Sequence, residues 1–304
     1  MSPRLAQAID FIKARQNPDG GWGYEASRAS LVEPSALSLL AILSGGDKAG
    51  TVRGLEFLKS CQKDSGAVGI GPKDPEGSWM AYAALLAFHA LGAGREEQRL
   101  RDWILGFEDA SGRFTKEEIA IVASRYRYDA SIPGWSWTPR TTAWIEPTAL
   151  FILALIRAGV PATEKRIRSG VDLIVDRRVP SGGWNFGNPY SKSFELEAST
   201  MSTALALTAL GAAGLPESRP AIGAGLRYLH KSLDGDISTA SLAWVSLALK
   251  SFPSGGPRVA GVTARLARLQ MDDGGFRGNL FETALAYLVL SGASILSPVS
   301  GERR

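Results

Sequence analysis

Apolar residues along this chain fall into two alternating patterns. One kind of segment carries apolar residues at helical spacing with charges on the other side, as in Leu5-Ala6-Gln7-Ala8-Ile9-Asp10-Phe11-Ile12-Lys13. That is an amphipathic helix with one face in water. The other kind has no charged residue, as in Pro34-Ser35-Ala36-Leu37-Ser38-Leu39-Leu40-Ala41-Ile42-Leu43 and Pro147-Thr148-Ala149-Leu150-Phe151-Ile152-Leu153-Ala154-Leu155-Ile156. A helix apolar all round must be buried all round. The alternation predicts six helix pairs. The amphipathic members fall near 4–15, 48–62, 95–107, 162–178, 219–232 and 256–270, and the apolar members near 34–44, 79–92, 146–158, 198–212, 238–250 and 282–291. Residues 109–145 are too long for one linker and predict an extra helix near 116–128 with an aromatic loop.

Glycine punctuates the pairs. Gly-Gly-aromatic recurs as Gly20-Gly21-Trp22, Gly182-Gly183-Trp184 and Gly274-Gly275-Phe276, with weaker copies at Gly112-Arg113-Phe114 and Gly134-Trp135. A unit repeating every 40–50 residues or so points to a helical array or ring. An open array buries only one side of its inner helices and needs polar capping repeats, which neither end shows. The pattern therefore predicts an all-α fold. It is a single α/α toroid of six inner and six outer helices, parallel inner helices around a central cavity, with 1–304 as one domain and its core at about 4–292.

Composition narrows the function classes. Of 304 residues 45% are hydrophobic and 21% charged, which excludes wholesale disorder. The net charge of +4 comes from 34 Lys and Arg scattered among 30 Asp and Glu, without the basic stripe of a nucleic-acid binder. One cysteine, Cys61, excludes an internal disulfide framework and a multi-cysteine zinc site. Met1-Ser2-Pro3-Arg4 opens no apolar signal segment, and no run approaches the ~20 apolar residues that span a bilayer. The expected location is cytoplasmic, with peripheral membrane contact left open.

The runs Gln16-Asn17-Pro18-Asp19-Gly20-Gly21-Trp22 and Gln270-Met271-Asp272-Asp273-Gly274-Gly275-Phe276 resemble the QW motif of squalene–hopene cyclases, members of the terpenoid cyclase and protein prenyltransferase superfamily. The resemblance covers about 4–292 through repeated units. It implies the α/α toroid, one ring of which this length accommodates, and it implies that Trp22, Trp184 and Phe276 brace the repeats. Two departures matter. Prenyltransferases imply a zinc ion held by Asp, Cys and His, but the corresponding Phe194-Glu195-Leu196-Glu197-Ala198-Ser199 has no Cys, and neither His89 nor His230 shows ligand spacing. No metal and no other cofactor is expected. The cyclases imply an Asp-x-Asp-Asp proton donor ahead of Thr-Ala. Here Asp234-Gly235-Asp236-Ile237-Ser238-Thr239-Ala240 leaves Asp236 one position off, able to point inward or to serve as a helix N-cap or first-turn acid.

Another carboxylate recurs where apolar helices begin: Glu33-Pro34-Ser35-Ala36-Leu37, Glu146-Pro147-Thr148-Ala149-Leu150 and Glu282-Thr283-Ala284-Leu285. Pro suits the first helical position, which puts Glu33 and Glu146 at the N-cap, where shorter polar residues serve better. Such a Glu complements the helix dipole, or, desolvated beside aromatic rings, acts as a general acid. Glu146 is the favoured acid, with Glu33, Glu282 and Asp236 as further candidates. Trp79, Trp135, Trp137, Trp144, Trp184 and Phe186 are candidates to line a ligand site, and Arg140 to pair with Glu146 or hold an anionic head group. The leading reading is an isoprenoid-binding protein resembling one ring of a terpene cyclase, with acid-initiated cyclisation or isomerisation as its chemistry. The alternative is a non-catalytic module for a lipid, a peptide or a partner protein.

Overall fold

The computed structural model describes residues 2–296. In chain order the helices are α1 (Pro3–Lys13), α2 (Val32–Ser44), α3 (Val52–Ser60), α4 (Ala81–Leu91), α5 (Gly94–Leu105), α6 (Lys116–Tyr126), α7 (Ile145–Arg157), α8 (Lys165–Asp176), α9 (Thr200–Ala212), α10 (Pro220–Ser232), α11 (Thr239–Lys250), α12 (Gly256–Arg268) and α13 (Leu280–Leu290). A two-residue hairpin, β1 (Tyr190–Ser191) with β2 (Phe194–Glu195), is the one sheet among the described residues.

The two expected helix types are both present. α2 is buried continuously from Val32 to Ile42, and α9 from Ser202 to Leu210. α5 buries only Leu100 and Ile104, and α12 only Val262 and Leu266. The extra helix appears as α6, opened by a capping box in which Thr115 and Glu118 bond each other's backbone N–H, and it buries no residue fully.

Contacts divide the chain into two compact units. One contains the chain up to Gly106 and resumes at Ala260; the other runs Phe107–Val259. In the first, α2 packs between α4 and α13, and α13 also packs on α1, so the last repeat meets the first. In the second, α9 packs between α7 and α11. Tyr82 in the first turn of α4 bonds Glu33 in the first turn of α2, and Ser202 in α9 bonds Glu146 in α7. Side-by-side helices joined at their first turns run parallel, as expected within each unit.

One brace repeats through both units. The backbone N–H of Trp22, Trp135, Trp184 and Phe276 donates to the hydroxyl of Ser35, Thr148, Thr203 and Thr283, at 2.8, 2.9, 2.9 and 3.0 Å. Ser35, Thr148 and Thr203 donate back to the same aromatic residue's carbonyl at 3.1 Å. The indole N–H of Trp22 and of Trp184 ties to the carbonyls of Ile12 and Ile174 at 2.8 and 2.6 Å. Gln16, Gln62 and Gln270 close the preceding turn by donating to the carbonyls of Gly20, Gly66 and Gly274.

The indoles of the three Trp braces each lie against a helical glycine: Gly54 for Trp22, Gly170 for Trp135 and Gly225 for Trp184, where a Cβ would stand 2.8, 2.7 and 2.6 Å from the ring. Real side chains do not approach so closely, so Gly170→Val must displace Trp135 or bend α8. The expected cost is about 1–3 kcal/mol of unfolding free energy, well above the few tenths that Val gains over Gly in helix propensity. Urea denaturation of the variant beside the wild type measures it.

Candidate functional site

Helix starts set the positions of the recurring glutamates. Leu31 and Trp144 occupy the N-caps of α2 and α7, both extended and without a side-chain cap bond. Glu33 and Glu146 are therefore the second residues of their helices, which corrects the expected N-cap placement. The following proline then sits third, still inside the first turn, where no N–H is needed. Glu282 follows a different register. Glu33 and Glu146 lie two residues before the brace hydroxyl of Ser35 or Thr148, but Glu282 lies one before Thr283. That rotates it about 100° around its helix. Glu282 is half-buried, its backbone N–H capped by Asn279.

Glu33 is 3% exposed and holds the strongest constellation of the first unit. The Tyr82 hydroxyl donates to one carboxyl oxygen at 2.8 Å and the Tyr24 hydroxyl to the other. Tyr82 stacks on Trp79 with ring centres 6.1 Å apart and planes at 13°. Tyr24 meets Phe281 edge-on, 6.0 Å away at 60°. Among the described residues no Lys, Arg or His forms an ion pair with Glu33. Burial pushes its carboxyl from the usual 4.5 up to about 7, and the two phenol hydrogen bonds, which favour the anion, offset this only in part. Burial and the nearby carboxylate push both phenols upward as well, so each remains a neutral donor.

Glu146 anchors the corresponding place in the second unit. It is half-buried and accepts from Ser202 at 2.9 Å. Burial raises its pKa, with the Ser202 bond acting the other way. Beside the start of α7, the Ile145 N–H bonds the Phe186 carbonyl at 2.9 Å. There Trp137, Trp144, Asn185, Phe186, Asn188 and Leu196 line an open cavity of about 280 Å³. Three of the expected ligand-site aromatics thus come together. The others do not: Trp135 and Trp184 are fully buried in braces, and Trp79 belongs to the Glu33 cluster.

Two further candidates are exposed. Arg140 is exposed, with φ at 65°, and its N–H bonds the Glu108 carbonyl at 2.8 Å. Asp236 is exposed and caps nothing: Ser238 is the N-cap of α11, two residues later. No three or more His, Cys, Asp or Glu side chains gather into a metal-binding group among the described residues. Nor is any described helix long and apolar enough to cross a membrane.

Tyr24 and Tyr82 were not legible as site residues. A signal existed for Tyr82, because a phenol on an otherwise apolar buried helix must find a hydrogen-bond partner. Nothing in the sequence singled out Tyr24.

No known family's sequence profile matches the chain, and no curated protein matches it in sequence. Solved structures do match. The type II terpene cyclase MstE from Scytonema superposes with a TM-score of 0.62 at 16% identity, covering 96% of this chain and 97% of that one. A variant of that enzyme in complex with its substrate, geranylgeranyl dihydroxybenzoate, gives 0.66 at 15% identity over the same shares. An alpha-amylase from Clostridium perfringens gives 0.66 at 11% identity, covering 95% of this chain and 98% of that one. The chain has a terpene cyclase-like fold, and an alpha-amylase is similar to it as well.

Proposed function

We propose that this protein binds a hydrophobic isoprenoid and starts its cyclisation or isomerisation by protonating a carbon–carbon double bond. The observation that carries this reading is Glu33: a buried carboxyl between two phenol donors, pushed by burial up to about 7 and so still holding its proton near neutral pH. An alkene is a weak base, and a general acid works best when its pKa lies near the working pH. Tyr24 and Tyr82 meet the carboxyl through their hydroxyls, and Phe281 and Trp79 pack against those two rings. An aromatic face turned to bound substrate stabilises a cation by ~0.5–2 kcal/mol, so this cluster of four rings suits carbocation chemistry. Glu33 takes the role for which Glu146 was the favoured sequence candidate, because Glu33 is the more deeply buried and is held on both oxygens. The likeness to a cyclase of an aromatic isoprenoid supports the ligand class.

A second reading, a non-catalytic binding module, is favoured by the 280 Å³ cavity, whose lining contains no titratable side chain. Incubation with squalene and with linear geranylgeranyl compounds, followed by product analysis, separates the two. Cyclic or isomerised product supports the enzyme. Saturable binding with unchanged substrate supports the module.

The cavity makes its own prediction. Trp144 is half-buried on its wall and forms no brace, so Trp144→Ala is expected to weaken isoprenoid binding by about tenfold, equivalent to roughly 1.4 kcal/mol of lost aromatic contact. Fluorescence titration with a geranylgeranyl ligand measures it, and unchanged affinity counts against the binding-module reading of this cavity.

A further inference from the structure

We propose that Tyr24 hands the proton to the substrate, with the Glu33 carboxyl behind it as the store and Tyr82 as a fixed anchor. The inference rests on the acid-initiated reading above and assigns the atom from which the proton leaves.

Access decides the assignment. Glu33 is 3% exposed and both its oxygens are engaged by phenols, so a substrate carbon cannot come within bonding distance without displacing one of them. The two phenols differ. Tyr82 is 1% exposed, sits in the first turn of α4 and is stacked on Trp79. Tyr24 is half-buried and lies in the loop between the Trp22 brace and α2. Its main chain is fixed by the Leu280 N–H, which donates to the Tyr24 carbonyl at 2.7 Å. Of the two phenols on Glu33, then, only Tyr24 is both bonded to the carboxyl and partly exposed. It is held at both its backbone and its hydroxyl, as a positioned proton donor requires.

The step balances without any added oxidant or reductant. With Glu33 protonated and substrate bound, the contact with Tyr24 runs the other way from the resting bond: the carboxyl O–H donates to the Tyr24 oxygen, and the Tyr24 O–H turns to the alkene. The Tyr24 O–H bond breaks as its proton forms a C–H bond with one alkene carbon, using the π electrons, and the other alkene carbon becomes the cation. At the same time the Glu33 O–H bond breaks and its proton moves to the Tyr24 oxygen. The phenol is restored, Glu33 is left as the carboxylate, and the positive charge is on the substrate. Loss of a proton to water from a carbon next to the final cation gives the neutral product, and a solvent proton returns to Glu33. A free phenol is too weak an acid for this step. Coupling to the carboxyl removes the need for a phenolate, which burial and Glu33 disfavour.

The test compares Glu33→Gln, Tyr24→Phe and Tyr82→Phe for product formed from squalene and from geranylgeranyl dihydroxybenzoate, alongside a proton inventory of the wild type in H₂O–D₂O mixtures. Tyr24→Phe is expected to lose about 100-fold in rate, as Glu33→Gln does, whereas Tyr82→Phe, which removes one bond to the carboxyl and leaves the donor, is expected to lose about tenfold. Two protons in flight give a curved inventory. Full activity in Tyr24→Phe with none in Glu33→Gln would mean direct donation by the carboxyl and would overturn the relay. So would a linear inventory in the wild type, a result that stands even if the Tyr24 variant fails to fold. If the wild type forms no product from either substrate, the acid-initiated reading fails and the relay with it, an outcome distinct from failure of the relay alone.

Discussion

Glu33→Gln is expected to lower the rate of isoprenoid conversion by about 100-fold or more while leaving the fold intact. The amide matches the carboxyl in shape. Its oxygen can accept from one phenol and its NH₂ can donate to the other, so both partners at Glu33 stay satisfied. What disappears is the proton. The same substitution has a signature in stability. The folded-state pKa of Glu33 is raised from 4.5 to about 7, so the folded protein binds this proton more tightly than the unfolded chain does. The contribution is fully present below about pH 4.5 and is lost as the pH rises through about 7, because above that the fold must bury a carboxylate. The separation corresponds to something on the order of 3 kcal/mol. Wild-type unfolding free energy should therefore fall between pH 5 and pH 7.5, and that part of the slope should vanish in Glu33→Gln. Urea denaturation across this range reads it. Equal slopes in the two proteins would place the Glu33 proton elsewhere and remove its claim to be the acid.

Trp184→Ala is expected to cost about 3–5 kcal/mol of unfolding free energy. The ring is fully buried, its indole N–H donates to the Ile174 carbonyl at 2.6 Å, and its far edge fits against Gly225 on α10. Truncation leaves a cavity that α10 cannot fill without breaking its own packing, and it orphans the Ile174 carbonyl. The backbone part of the brace, from Trp184 N–H to Thr203, survives in the variant. Most of the loss is therefore packing. Trp144→Ala makes the contrast, since Trp144 is half-buried and should affect ligand affinity far more than stability. Chemical denaturation of both variants checks the pair. A loss below about 1 kcal/mol for Trp184→Ala would contradict the brace.

The helices were legible because their two patterns are extreme. Segments such as Thr200–Ala212 carry no charged residue, and segments such as Gly94–Leu105 put their charges on one side, which left little freedom in assignment. The starts of α2 and α7 were less legible. Proline fits any of the first-turn positions, so Pro34 and Pro147 could not by themselves fix which residue caps the helix. The hairpin at Tyr190–Ser191 and Phe194–Glu195 left no signal, since two-residue strands around Lys192 at φ 57° carry no alternation to read.

The site was legible as residue types and not as partnerships. Repetition of Glu before an apolar helix marked Glu33 and Glu146, but its meaning depends on the brace hydroxyl that sets helical register, and that register turns Glu282 away from the pattern. The fifth repeat shows the same dependence from the other side. Its Thr239 hydroxyl is buried without a hydrogen-bond partner, because no Gly-Gly-aromatic unit precedes α11 to occupy it. The aromatic residues split in a similar way. Trp135 looks like Trp137 in sequence, yet it follows Gly134 as Trp22 follows Gly21, and Arg166 lies over its ring at 4.1 Å. Trp137 has a serine before it and contributes to the cavity wall instead.

The most direct measurement is the fate of a solvent deuteron. Squalene or geranylgeranyl dihydroxybenzoate, incubated with the protein in D₂O, should yield a cyclic or isomerised product with deuterium at the carbon protonated first. Glu33→Gln, folded and under the same conditions, should yield almost none. Labelled product formed equally well by Glu33→Gln, or a wild-type protein that returns both substrates unchanged, would contradict the account.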